Sequence, residues 1–379
     1  MVSLKGPGLN DVEVAIPKVD DCRESSYRVV AFDYFRAIAI LIIIAGHSNV
    51  PWHINTLAEK MLVIMVKGGT SLFVFVSGFF LCYRYAKDFS LSTFMAAKTK
   101  FVLLPYVIIT TLGYAFYLWS DADLPFYQLS GSGLPNILWD HVWDHAQLLG
   151  TYLLYGKISG AYWYIPFIFC VFLLSPLYLS YSRANTRLRV VLLLFAFLVS
   201  SAVHRPESNL NVIHSIVYFT PLYFLGINVG LQWQNLKQPI ERFCLVFGAI
   251  ALVLAGLQAS FSDVVDNLHK QNMFTLTSFD YMIWQKASLS LFFLGLCLRL
   301  QRFRLPALKT VASASFALYF LHEWVLMAMS NSAVITEFRP SIELLSWFYT
   351  IAIALGISLV IATSIKFVLG LKSRYVIGW

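Results

Sequence analysis

Charge is the scarcest commodity in this sequence. Asp, Glu, Lys and Arg together supply 13% of its 379 residues, about half the share of a soluble domain. That is too little to cover a water-facing surface, which excludes a soluble globular fold. Cysteine is sparse: Cys22, Cys82, Cys170, Cys244 and Cys297 show no metal spacing, so free thiols are expected and no disulfide framework. No internal repeat and no low-complexity tract divides the chain. No cleavable leader is expected either. The first 28 residues are polar and mixed in charge, and the first apolar run is too long for a signal core and lacks a small-residue cleavage site.

Apolar residues are present in excess, at 58% of the chain, with a mean hydropathy of +0.68. A membrane-spanning helix needs about 20 mostly apolar residues. Ten such runs occur: Val29–Asn49, Thr70–Tyr85, Phe101–Trp119, Tyr162–Tyr181, Val190–His204, Val212–Leu231, Phe243–Phe261, Tyr281–Leu298, Leu308–Met329 and Leu344–Leu369. The second and fifth are short. Ala58–Val66 is apolar but too short to span, and reads as a re-entrant or interfacial piece. The pattern predicts an all-α integral membrane protein.

The net charge of +8 forms no single basic patch, so nucleic acid is not an expected partner. Twenty of the 28 lysines and arginines fall on the side that holds the N-terminus, seven on the other, and Arg36 lies inside the first helix. By the positive-inside rule both termini are then cytosolic. The expected organisation is a cytosolic tail over 1–28 and one multi-pass membrane domain over 29–379. An unusually long outer loop spans 120–161. It is acidic and aromatic, with Tyr127, Trp139 and Trp143 among its rings. Those rings suit either sugar stacking or a membrane-interface belt.

Ionisable groups inside a membrane are costly and mark function. In FDYFRAIAILIIIAGHSNV, ten almost purely hydrocarbon residues separate Arg36 from His47. Eleven helical steps make about 16 Å, so a cation lies toward the cytosol and a titratable imidazole toward the outside. Asp33, one turn from Arg36, is placed to pair with it. The bland alternative is a snorkelling arginine and a polar helix end. Lys98 and Lys100, at an inner helix mouth, suit a phosphorylated ligand or serve as topology signals. Ser77-Gly78-Phe79 allows close helix packing. His322 falls in the outer half of the ninth run, as a structural histidine or a site residue, with Glu323 beside it and free to face water. His141 and His145 stand four apart, a zinc-compatible spacing, but no third ligand follows nearby. No metal is expected.

At these residues the chain resembles the acyltransferase-3 family of bacterial membrane O-acyltransferases. FDYFRAIAILIIIAGHS is similar to that family's first helix, with its basic residue and histidine at the spacing of Arg36 and His47. GGTSLFVFVSGFFL, residues 68–81, resembles its SGF segment, in which Ser77 is a supporting residue. FMAAKTKFVLLPY, residues 94–106, resembles its basic run before a proline, with Lys98 and Lys100 where the family usually has arginines. A lysine is a point charge and not a bidentate fork. AYWYIPFIFCVFLLSPL, residues 161–177, resembles its Trp-containing fourth helix. SFALYFLHEW, residues 315–324, resembles its late S-x-x-Y-x-x-H patch, with one residue more between Ser315 and Tyr319 and with Glu323 where proline is frequent. The end of the chain soon after the tenth run fits the short form without an extracytoplasmic esterase-like domain.

The resemblance implies a bacterial inner-membrane enzyme that moves a short acyl group, acetyl or succinyl, from cytosolic acyl-CoA to a hydroxyl of an extracytoplasmic or lipid-linked polysaccharide. It implies a donor site at Lys98, Lys100 and Arg36. His47 is the expected general base, or a nucleophile forming an acyl-histidine. An outer acceptor chamber is expected near Tyr162, Trp163, His322, Trp139 and Trp143. A polysaccharide-precursor transporter or flippase is the rival expectation. It shares the helix count, although the internal repeat common in transporters is missing.

Overall fold

The computed structural model describes residues 29–48, 54, 56–86, 88–120, 142–262, 267–275 and 277–379. Trp139, Tyr127 and His141 lie outside these, as does the side chain of Trp143. Among the described residues nine helices are long and apolar enough to cross a membrane, or ten with one bent pair taken as a span. They follow the ten predicted runs in order. The protein is an all-α, multi-pass membrane protein. In hydrocarbon, helices are favoured because each backbone donor and acceptor is satisfied within its own segment. An isoleucine-rich run such as that in α1 (Val30–His47) is therefore helical despite its β-branched residues.

Four runs differ from their predicted form, each for a local reason. Ala58–Val66 is not a separate interfacial piece. Helix α2 (Leu57–Val66) starts at a reciprocal cap between Thr56 and Glu59 and continues as α3 (Thr70–Tyr85) into one span of 29 residues. The joint is a turn at Gly68, whose φ is +72°. There the Lys286 ammonium donates to the carbonyls of Ile64 at 2.8 Å and Met65 at 3.1 Å. These are carbonyls that a helix end leaves without intrahelical partners.

The third span starts earlier than predicted, with α4 (Leu91–Lys98), a π-helical turn at Thr99–Leu103 and then α5 (Leu104–Ser120). Pro105 has no N–H to donate and crowds the turn before it; the wider turn takes up that misfit. The fourth run is two helices. After α6 (Val142–Tyr155) come α7 (Tyr164–Leu173) and α8 (Ser175–Arg183), bent by 56° where Pro176 opens α8. The fifth run is not short. Helix α9 (Thr186–Val203) begins at an Asn185 cap that accepts from the Leu188 N–H at 2.9 Å. Arg189 is thereby drawn inside, donating to Asn228 Oδ1 and to the carbonyls of Ser182 and Ala184.

The remaining spans are α10 (Val212–Leu231), then, after α11 (Trp233–Arg242), α12 (Cys244–Phe261), α13 (Met282–Leu300) and α14 (Pro306–Ser330), and, after α15 (Ala333–Glu337), α16 (Glu343–Leu369). The closest pairing joins α3 to α10. A Cβ on Gly226 would lie 2.1 Å from the Phe75 carbonyl oxygen, and one on Gly78 2.2 Å from that of Tyr223. Small residues bring the two backbones together, as at other membrane helix contacts. Ser77 lies beside the buried Tyr164 hydroxyl. At the rim, α9, α12 and α16 turn Phe195, Leu252, Val253, Val360 and Phe367 outward, as lipid-facing helices do.

Helix α1 is central, packed against α14, α13, α16 and α3. It runs in the same direction as α14: Arg36 meets Ser315 near one end, and His47 meets His322 near the other. This pairing places the candidate site.

Candidate active site

His47 is the last residue of α1. Its Nδ1 lies 3.1 Å from Nε2 of His322. His322 is fully buried, and its Nδ1 sits 3.0 Å from the Leu318 carbonyl oxygen. A carbonyl only accepts, so Nδ1 of His322 carries the proton. Its Nε2 is then the acceptor when the ring is neutral, and His47 Nδ1–H is the donor. The remaining nitrogen of His47, Nε2, is therefore its basic atom. It faces Glu323 Oε1 at 3.6 Å, with the His47 side chain 35% exposed and that of Glu323 15%. Once Nε2 takes up a proton, the carboxylate pairs with the imidazolium.

The carboxylate is itself held. Ser159 Oγ donates to Glu323 Oε2, and Gly160 lies so close that a Cβ there would stand 3.1 Å from Oε1. Both belong to the loop between α6 and α7. That loop turns at Gly156, with φ +63°, where a Cβ would collide with the backbone of Tyr162 and Trp163 at 2.4 Å. The loop is braced on α14: Tyr162 OH donates to the Phe320 carbonyl at 2.6 Å and accepts from Trp324 Nε1 at 2.8 Å. Tyr319 OH donates to the Ala161 carbonyl. Trp163 stacks on Phe219 and carries the Arg205 guanidinium 4.8 Å above its ring. Lys157, on the same loop, donates to the Ser208 carbonyl. Burial, together with neighbouring Arg205, brings its ammonium down to about 8, against the opposing pull of Glu323.

At the other end of α1, Arg36 Nη2 donates to Ser315 Oγ at 3.0 Å. Arg36 and Asp33 line an open cavity of about 510 Å³ together with Lys309, Thr310, Ala312 and Ser313 of α14. Lys98 and Lys100 are not among those lining residues. The Lys98 ammonium lies over Phe172 at 4.6 Å and Phe94 at 5.0 Å, and that of Lys100 over Tyr375 at 5.2 Å and Phe101 at 5.6 Å.

The fold thus joins His47 with His322, and Arg36 with Asp33. Tyr162 and Trp163 sit on the neighbouring loop with their polar atoms or ring faces engaged. His145 lies on α6, with Nδ1 2.8 Å from the Tyr114 hydroxyl. Sequence reasoning passed over three residues. Glu323 is read from the sequence only as an outer residue that could face water, although an acid inside an apolar run signals a partner. Ser315 lies seven residues before His322, two turns along one helix face. Lys309 was counted only as a topology charge.

A family model described as an acyltransferase domain, Acyl_transf_3, matches residues 29–365. No curated protein and no solved structure matches the chain.

Proposed function

Because the chain belongs to the acyltransferase-3 family, we propose that this membrane acyltransferase moves a short acyl group, acetyl or succinyl, from cytosolic acyl-CoA to a hydroxyl of an extracytoplasmic or lipid-linked polysaccharide. The observation that carries this reading is that one buried helix bears chemistry at both ends. At one end a basic cavity suits an anionic ligand. At the other a histidine has one nitrogen fixed by a second histidine and the other left basic. The bilayer is a bacterial inner membrane with both termini in the cytosol, as the basic-residue bias supports, and the membrane domain covers residues 29–379.

The anionic end of the donor rests near Arg36 and Lys309, with Lys98 and Lys100 adding positive charge on the same side. The pantetheine arm follows α1 for about 16 Å and brings the thioester to His47. His47 Nε2 removes the proton of the acceptor hydroxyl. The oxygen forms a bond to the thioester carbonyl carbon, and the C–S bond breaks. The departing thiolate takes the proton back from His47, which leaves an ester and free coenzyme A. His322 positions the ring through Nδ1, and Glu323 stabilises the imidazolium while it carries the proton. Tyr162 and Trp163 hold the wall of the acceptor chamber, and Trp139 and Trp143 remain acceptor-binding candidates from the sequence alone. A transporter without acyl transfer does not fit the family to which the chain belongs.

The test is release of free coenzyme A from acetyl- or succinyl-CoA by detergent-purified protein with a polysaccharide acceptor. His47→Ala is expected to retain donor binding and lose turnover by about 10²-fold or more. Full turnover in that variant refutes the assigned base.

A further inference from the structure

The histidine and carboxylate groups at the end of α1 have a second chemistry. His47, His322 and Glu323 each offer one ligand atom, and these atoms all lie within 4.8 Å of one another. Zinc-class cations bind histidine nitrogen and carboxylate oxygen at about 2.0–2.2 Å, in tetrahedral sites whose donor atoms are therefore about 3.3 Å apart. The two histidine nitrogens stand 3.1 Å apart.

The outer shell fits as well. A ligating histidine ordinarily gives its other N–H to a carbonyl or carboxylate, which fixes the tautomer and aims the lone pair. His322 does this through Nδ1 to the Leu318 carbonyl, so Nε2 presents its lone pair toward His47. The second oxygen of Glu323 is held by Ser159 Oγ. Only the His47 side is appreciably open, and it provides the entry.

We infer that His47, His322 and Glu323 form a binding site for a divalent zinc-class cation, which arrests acyl transfer when it is occupied. On binding, the cation takes the lone pairs of His47 Nδ1, of His322 Nε2 and of one carboxylate oxygen, and the proton given up by His47 Nδ1 is taken up at Nε2 of the same ring, so that both imidazoles stay neutral and no net proton is released. A fourth position remains for water. The binding does not depend on the role given to His47; the arrest rests on His47 being the base, because its Nε2 then carries a proton and has no lone pair for the hydroxyl.

The full-length protein, purified in detergent and stripped with a chelator, is titrated with Co²⁺, whose visible absorption reports four- or five-coordinate nitrogen and oxygen ligation. One equivalent is expected to saturate the wild type, with Zn²⁺ displacing it. His322→Ala and Glu323→Gln weaken binding by more than about 100-fold, beyond the cost of outer-shell changes, whereas His145→Ala leaves it unchanged. Should those variants misfold, the wild type supplies the measurement: Zn²⁺ is expected to slow carbethoxylation of His47 at least tenfold. A wild type without saturable Co²⁺ absorption overturns the site, as does binding that survives in folded His322→Ala and Glu323→Gln. Saturable binding with undiminished turnover at saturating Zn²⁺ upholds the site and refutes His47 as the base.

Discussion

The orientation of a single proton decides what His47 is able to do. Leu318 fixes the tautomer of His322, His322 fixes that of His47, and the basic nitrogen is left toward Glu323. Glu323→Gln preserves size and one hydrogen-bond acceptor but removes the negative charge that steadies the imidazolium. Its expected effect is a fall in kcat of about tenfold or more with donor KM unchanged. Steady-state kinetics check this, and an unchanged kcat refutes the role. Elsewhere, Asp280 is fully buried and accepts from the Met282 N–H and the Tyr218 hydroxyl. Burial nevertheless raises its carboxyl from an ordinary 3.8 to about 6. A carboxyl raised on folding binds its proton more tightly in the folded state, so its contribution to stability is greatest below 3.8 and declines as pH rises through 6. The melting temperature of wild type relative to Asp280→Asn is expected to fall between pH 4 and pH 6; a constant difference contradicts this. Arg36 and His47 were legible from sequence because a charge or an imidazole in hydrocarbon is conspicuous. The pairing of Glu323 was not legible, because its partner lies 276 positions earlier in the chain, at His47, and no local pattern announces it.

Elements were more legible than their joints. Length and hydropathy located the spans because each must satisfy the same hydrocarbon thickness. The breaks depended on finer chemistry: a cap at Thr56, a proline opening α8, a wide turn ahead of Pro105. Pairing between spans was partly visible. Ser77-Gly78-Phe79 advertised a close contact, but its partner face at Gly226 was not identified. Gly226→Ala would push a methyl to 2.1 Å from the Phe75 carbonyl oxygen, so α3 and α10 must separate. A loss of about 1–3 kcal/mol is expected, the usual cost of overpacking, as a lowered melting temperature in detergent. An unaltered melting temperature shows that the pair parts freely.

Across the whole molecule, the proposed mechanism divides the work between the two ends of α1. If the anionic end of the donor rests beside Arg36, the loss of a nearby cation acts on donor KM and spares acceptor KM. Lys309→Ala is expected to raise donor KM about tenfold, as for a hydrogen bond to a charged group. The double change Lys98→Ala with Lys100→Ala is expected to raise it too. Donor KM unchanged in both ends the donor-site assignment. The basic-residue bias supplied the expected orientation, and the first-helix spacing supplied the separation of the ends. The cavity was out of reach, because it is shared by residues near 33–36 and 309–313 that only folding brings together.

The contact between His47 and His322 spans 275 positions of sequence. At about 5–20 residues per second, a ribosome that has just made the first span needs roughly 14–55 s more to make the ninth. During that interval the nascent helix waits in the bilayer with its imidazole unmatched by the group that orients it. A chain abandoned before the ninth span lacks His322, Glu323, Ser315 and Lys309 together. On the proposed mechanism, the order of translation keeps an unfinished copy from holding donor and base in working alignment, and quality control of prematurely terminated chains need not contend with a partly active enzyme.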